Sequence, residues 1–216
     1  MKVERAGKKV ICSLMLDEMA IKKHISWDGY KFRGYVDIGN GINGDTTPVA
    51  KVALVFMVVC INGSWKVPCA YFLIEGLINA ERANLVKLCI QRLTDAGVKV
   101  AAVICDGPSC HLSMLSELGA SMTPPNLVPS FPRPFNEGEK VYVLLDVCHM
   151  LKLVRNTIAK SSILIDTDGK QIRWHCLEEL QKLQDKEGLR LGNKLRLAHI
   201  QWWQQKMKVN LHKLLA

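Results

Sequence analysis

Three aspartates stand where short apolar runs end: Asp17 after Val10–Leu16, Asp106 after Val98–Cys105, and Asp146 after Val141–Leu145. Carboxylates brought together at the ends of neighbouring strands repel one another unless a cation neutralises them. Two hard divalent cations held by such oxygens can clamp the attacking and leaving oxygens of an in-line phosphoryl displacement. The substrate of that chemistry is a polyanion. Each aspartate also has a plainer reading, because an Asp at a strand end commonly caps the turn or helix that follows. Asp146 is placed to cap a helix starting near Cys148. Glu18 follows Asp17 by one residue and so points to the opposite face of a strand, which removes it from Asp17's role. His149 reads equally well as a packed or a functional histidine.

The charge balance agrees with a polyanionic partner. Twenty-nine basic residues against 20 acidic ones give a net charge of +9, which favours association with nucleic acid over a neutral role. The excess is uneven: residues 150–216 hold 13 Lys and Arg and 6 Asp and Glu, a net +7. With 49% apolar and 23% charged residues, the chain of 216 residues can bury a core. Its length fits one domain and a fraction at roughly 150 residues per domain. The longest apolar run, Val52 to Ile61, is too short for the roughly 20 residues of a membrane helix. The charged start, Met1 to Lys9, and the acids Asp17 and Glu18 do not form a signal peptide. Eight cysteines without a CxxC pair or an export signal read as free thiols. Cys105, Cys110 and His111, or Cys148 and His149, could be assembled into a zinc site, but buried structural cysteine is the stronger reading.

The elements that must carry the three acids can be read from periodicity. Val10 to Met19 reads as a strand, with a turn at Trp27–Tyr30 and a short strand over Gly34–Gly39. A polar Gly-rich loop follows over Asn40–Thr47. Val52–Ile61, the dipeptide Asn62-Gly63 and Val67–Ile74 form a hairpin. The period then changes. Asn79 can cap a helix with Leu85, Leu88, Cys89 and Leu93 on its apolar face, stopped by Gly97. Val98–Asp106 is a nearly continuous apolar run, as in a central parallel strand. A helix over about His111–Leu118, a Pro-rich loop over Thr123–Pro134, the strand Val141–Asp146 and a helix over Cys148–Ala159 complete this part. An antiparallel meander followed by βα units makes an α/β fold, a mixed sheet flanked by helices with the order of an RNase H-like domain. In such a sheet the first and fourth strands are neighbours, which would bring Asp17 and Asp106 together. Ile163–Ile165, a turn at Asp168-Gly169, a strand over Gln171–Trp174 and helical material from Cys176 start a separate unit.

The segments Cys12–Ile21, Trp27-Asp28-Gly29 and Gly34–Gly39 resemble the start of the RNase H-like domain of P-element-type transposases, a family that includes the THAP-domain transposase-like proteins. Val103-Ile-Cys-Asp106-Gly107 resembles its second acidic motif. Asp146-Val-Cys-His149-Met-Leu-Lys152-Leu-Val-Arg155-Asn156 resembles its Asp-x-x-His-x-x-Lys-x-x-Arg-Asn segment. Leu177–Gly188, His199 and Lys206–Val209 are similar to the beginning of the inserted GTP-binding domain. The resemblance implies an RNase H-like domain over residues 1–160 and a partial, mainly helical insertion over 161–216. It also implies a nuclear DNA transposase, with DNA as partner and a homo-oligomer left open. Catalytic and metal-binding roles fall to Asp17 and Asp106, with Asp146 as a further metal ligand, and the cofactors implied are Mg²⁺ or Mn²⁺ and GTP. The family's third acid, a Glu, is expected on a helix beyond the insertion. The helix after Asp146 holds no Asp or Glu, and Glu178, Glu179 and Glu187 read as a solvated helix face. The expectation is a chain inactive alone, with Trp202 and Trp203 partly exposed. Two other readings stay open: a domesticated, non-catalytic nucleic-acid- or protein-binding remnant, and a self-sufficient nuclease that recruits Asp146.

Overall fold

The computed structural model describes residues 9–39, 47–188, 195–201 and 203. They form two compact units, 1–146 and 147–216. In the first unit, β1 (Val10–Ala20) alternates, placing Cys12, Leu14 and Leu16 on the core face. Next come a two-residue hairpin, β2 (Ser26–Trp27) and β3 (Phe32–Arg33), and a long one, β4 (Val52–Cys60) and β5 (Lys66–Ile74). Helix α1 (Asn79–Asp95), strand β6 (Val98–Cys105), helix α2 (Ser109–Leu118), and strands β7 (Ser130–Arg133) and β8 (Asn136–Leu145) complete it. The six long strands lie in the order β5-β4-β1-β6-β8-β7. β4 is antiparallel to β1 and β5 to β4, whereas β1, β6 and β8 are parallel neighbours, which is the expected RNase H-like mixed sheet. Parallel β1 and β6 require a crossover, and α1 supplies it.

One face of the sheet packs against α1 and α2. Leu14, Phe56, Val58, Val100 and Val103 meet Val86 and Ile90 of α1 and Met114 and Leu115 of α2 in one cluster, all 2% exposed or less. Helix α2 stops where Gly119 takes a positive φ of 99°, and its N–H returns to the carbonyl of Ser116.

The pairing of β1 with β6 is not uniform. Cys12 lies opposite Val100, but Ser13 lies opposite Ala102, so Ala101 is an extra residue in β6. This β-bulge shifts everything beyond it by one residue.

Four sequence expectations change. The stretch 34–39 makes only isolated bridges, Tyr35 to Val49 and Asp37 to Leu73, because Gly34 and Gly39 at φ 108° and 79° interrupt the extended backbone. Asn79 is inside α1; the cap position is Ile78, whose N–H donates to the Glu81 carboxylate at 3.0 Å. Leu88 faces outward at 45% exposure. The Pro-rich loop contains β7, whose Phe131 and Arg133 are buried. No disulfide joins any of the eight cysteines.

The second unit holds α3 (Val147–Ser161), the hairpin β9 (Ile163–Ile165) and β10 (Gln171–Arg173), α4 (His175–Lys186) and a single turn, α5 (Leu197–Ile200). The Asp166 carboxylate accepts the N–H groups of Asp168 and Lys170 at 2.9 and 2.8 Å, and Gly169 at φ 78° completes the turn. Trp174 is buried and Trp203 is 63% exposed. Trp202 and the Lys206–Val209 segment lie outside the described residues.

Because Leu14 is fully buried at the centre of the sheet, Leu14→Ala should cost about 2–5 kcal/mol. A urea titration followed by circular dichroism should show the midpoint falling without a change in slope.

Candidate active site at the strand ends

Beyond the bulge, Leu14 pairs with Val103 and Met15 with Ile104. Extending that register by two residues places Asp17 level with Asp106 on the neighbouring parallel strand. Level residues of parallel strands share a face. On the other side of β6, Cys105 pairs with Leu145, and the Asp146 N–H donates to the Cys105 carbonyl at 2.8 Å. Asp106 and Asp146 therefore directly follow the ends of β6 and β8, and Asp17 lies near the end of β1, three residues before its last residue, Ala20. Asp146 is also the residue immediately before α3.

The side-chain contacts add a second pattern. Asp17 is exposed, and its carboxylate accepts the Glu18 N–H at 2.8 Å. Asp106 Oδ1 lies 2.6 Å from His111 Nδ1, whose ring nitrogen is also 3.2 Å from the Asp106 carbonyl oxygen. His111 sits in the first turn of α2 and is 1% exposed. Glu18 shares the core face with Leu16 and accepts from Arg82 of α1, at 2.9 Å from Nη2 and 3.2 Å from Nε. Glu18 Oε1 is 3.8 Å from His111 Nε2. Arg82, 7% exposed, offsets the cost of placing a carboxylate at the edge of the apolar core. The contacts thus join Asp106 to Glu18 through His111, while Asp17 is held locally. Sequence reasoning set Glu18 aside and did not connect His111 to Asp106. The available signals were the shared parity of Glu18 with Leu14 and Leu16, and a histidine five residues after a strand-end aspartate.

The donor set suits a hard divalent cation. Carboxylate oxygens, the donor type of Asp17, Asp106 and Asp146, are what Mg²⁺ or Mn²⁺ requires. The Cys105 thiol at the end of β6 does not compete there. Burial pushes Cys105 up to about 12, and the Asp106 carboxylate and Cys110 add to it. Burial does the same to Cys12, reinforced by Cys60, and to Cys89, reinforced by Cys69.

The fold and these strand ends define a class. Residues 1–119 match the TNP-like RNase H N-terminal domain and residues 148–215 match the TNP-like GTP-binding insertion domain, so the chain belongs to this family. The similar proteins are transposases. The chain is 30% identical to the human (Homo sapiens) DNA transposase THAP9 over 179 residues, 82% of this chain and 20% of that protein. It is 24% identical to the Transposable element P transposase of Drosophila melanogaster over 195 residues, 88% of this chain and 22% of that one. It spans about a fifth of the length of these curated relatives. The structure of the Drosophila P element transposase strand transfer complex superposes with a TM-score of 0.58 at 21% identity, covering 88% of this chain and 36% of that chain, a likeness of fold.

Raised thiol pKa values make a testable statement. A shift from 9.0 to about 12 lowers the thiolate fraction at pH 8 about a thousandfold. Iodoacetamide at pH 8 should therefore leave Cys12, Cys89 and Cys105 unmodified in the folded protein while labelling exposed Cys176, as read by peptide mass spectrometry. Fast native labelling of Cys105 would contradict the packing described.

Proposed function

We propose that this chain carries the first two catalytic carboxylates, Asp17 and Asp106, of an RNase H-like enzyme that cleaves and rejoins DNA strands. The observation that carries the reading is the register of β1 against β6, whose continuation past Met15 and Ile104 sets Asp17 level with Asp106 on adjacent parallel strands. In this reading the RNase H-like part extends over residues 1–160 and the insertion begins after it. The family relationship supports dependence on a divalent metal, for which we propose Mg²⁺ or Mn²⁺ held by Asp17 and Asp106, with Asp146 as a further ligand. Such a cation, when bound, polarises the phosphodiester and favours the deprotonated nucleophile.

The chain's own residues prepare that site. The Glu18 N–H fixes one oxygen of Asp17. His111 Nδ1 anchors Asp106 through its backbone carbonyl oxygen at 3.2 Å, and the tether from Asp146 N–H to the Cys105 carbonyl holds the third strand end in place. Pre-set carboxylates cost little reorganisation when substrate arrives. The balanced reaction is addition of water across a P–O3′ bond to free a 3′-hydroxyl, followed by attack of that hydroxyl on a target phosphorus with loss of another 3′-oxygen. DNA is the substrate, as for the named relatives, and nuclear localisation follows from that substrate. Assembly of two or more copies on DNA ends belongs to the same proposal.

GTP is a different matter. Among the described residues of the second unit, strands of three residues joined by a tight turn supply no Gly-rich strand-to-helix loop of the kind that cradles phosphates. These described residues alone do not form a phosphate cradle.

A second reading has its own support in the net +7 of residues 150–216: a nucleic-acid-binding remnant without catalysis. Helix α3 contains no Asp or Glu, so residues 1–216 assayed alone should bind DNA without cutting it. If about four phosphates are neutralised, affinity should fall about a hundredfold between 50 and 200 mM salt. Fluorescence anisotropy with duplex DNA measures this, and salt-independent binding would count against the basic unit as the contact. A cleavage and strand-transfer assay with Mg²⁺ or Mn²⁺ completes the test. Robust cleavage abolished by Asp17→Ala would show that the chain finds its third ligand internally, at Asp146. In a chain that also carries the late acid, activity that survives both Asp17→Ala and Asp106→Ala would sink the catalytic assignment.

A further inference from the structure

Three ligand types converge beside the strand ends without being needed by the proposed chemistry. A carboxylate oxygen of Glu18, the Cys110 sulfur and a ring nitrogen of His111 all lie within 4.8 Å of one another. Glu18 comes from β1, and the other two come from the first turn of α2. His111 is 1% exposed, yet its Nε2 has no hydrogen-bond partner. A buried polar nitrogen left unmatched costs about 1–3 kcal/mol, so this atom calls for an explanation. The other ring nitrogen, Nδ1, lies 2.6 Å from Asp106 Oδ1. Metal-ligating histidines are held in this way: Nδ1 hydrogen-bonds the Asp106 backbone carbonyl oxygen at 3.2 Å, which leaves the other nitrogen as a bare, oriented lone pair.

We infer that Glu18, Cys110 and His111 form a zinc site, with His111 Nε2, the Cys110 thiolate and a Glu18 carboxylate oxygen as ligands and a fourth position open to water. Mixed nitrogen, sulfur and oxygen donors suit Zn²⁺ and disfavour Mg²⁺. His111 Nε2 and Glu18 Oε1 are 3.8 Å apart, within a few tenths of an ångström of the roughly 3.4 Å that separates ligands bonded at about 2.0–2.1 Å in a tetrahedral site. Arg82 contacts Glu18 Oε1 through two nitrogens, and this is the same oxygen that faces His111 Nε2. Binding would release the Cys110 proton to solvent and give the unmatched Nε2 a partner. Zinc on Nε2 also polarises the Nδ1–H and strengthens its hold on the Asp106 backbone carbonyl. The site would therefore position an acidic residue of the neighbouring centre without contacting DNA. It does not depend on strand cleavage being the protein's activity.

Cobalt substitution tests it on the intact chain. Co²⁺ added to metal-free protein should bind at one equivalent and give a sulfur-to-cobalt charge-transfer band in the near ultraviolet, displaced by Zn²⁺. Cys110→Ser should remove the band, and Cys69→Ser and Cys176→Ser should keep it. His111→Asn should weaken Zn²⁺ binding at least tenfold. Circular dichroism identifies any variant that fails to fold, and Glu18→Gln then serves as an independent ligand test. Asp17→Ala should leave the band intact whether or not it abolishes cleavage, which separates this site from the catalytic proposal. Absence of stoichiometric Co²⁺ and Zn²⁺ uptake by the folded wild-type chain would overturn the inference. So would a band that survives Cys110→Ser.

Discussion

A single extra residue in β6 governs how the strand ends meet. With the register of Val10 opposite Val98 continued unbroken, Asp17 would stand level with Cys105, a buried thiol. Ala101 adds one position, and from Ser13 onward the two strands run in a new register that sets aspartate against aspartate. Bulges are uncommon in parallel pairs and re-aim side chains where they occur. The apolar faces accommodate the shift: Cys12 and Val100 match before it, Leu14 and Val103 after it, and all four are fully buried. Core packing against α1 and α2 therefore holds the bulge in place, because a slip back by one residue would turn Val103 and Cys105 away from the helices.

The same packing explains why a polar network can exist at the edge of the core. Glu18 continues the parity of Leu14 and Leu16, so its carboxylate approaches α1 and α2 instead of solvent. Arg82 answers it from α1, and His111 answers Asp106 from α2. Each helix thus contributes one polar side chain at the end of an otherwise apolar interface. The two helices are anchored in depth by Val86, Ile90, Met114 and Leu115, which confines their polar residues to fixed places. Removing one member would leave a desolvated charge or nitrogen without its counterpart, which costs more than the contact itself contributes.

Much of this architecture is legible in the chain before any coordinates. The alternation of β1, the Asn62-Gly63 hairpin, the three- and four-residue spacing of α1 and the short apolar run of β6 give the element order and hence the RNase H-like sheet. What escapes is governed by tertiary pairing. Strand β7 hides among Pro129, Pro132 and Pro134, whose turn signals outweigh the buried Phe131 and Arg133. The bulge is invisible because Val98 to Cys105 is apolar almost throughout and carries no alternation to break. His111 could not be linked to Asp106 from spacing, since their meeting depends on how α2 swings back over the sheet. The stretch 34–39 shows the opposite failure: its residues suit a strand, but two left-handed glycines do not.

Both outer strands of the large sheet carry a proline at an irregular position. Pro68 lies in β5 where the pairing with β4 skips a residue, and Pro132 lies in β7 next to a shift in its pairing with β8. A proline there offers no N–H to a strand approaching from outside, and the adjoining distortion spoils the spacing such a strand would need. On the β5 side, Asp37 already occupies the edge at Leu73. Copies of this chain can therefore be crowded together without zipping their sheets into a continuous ribbon.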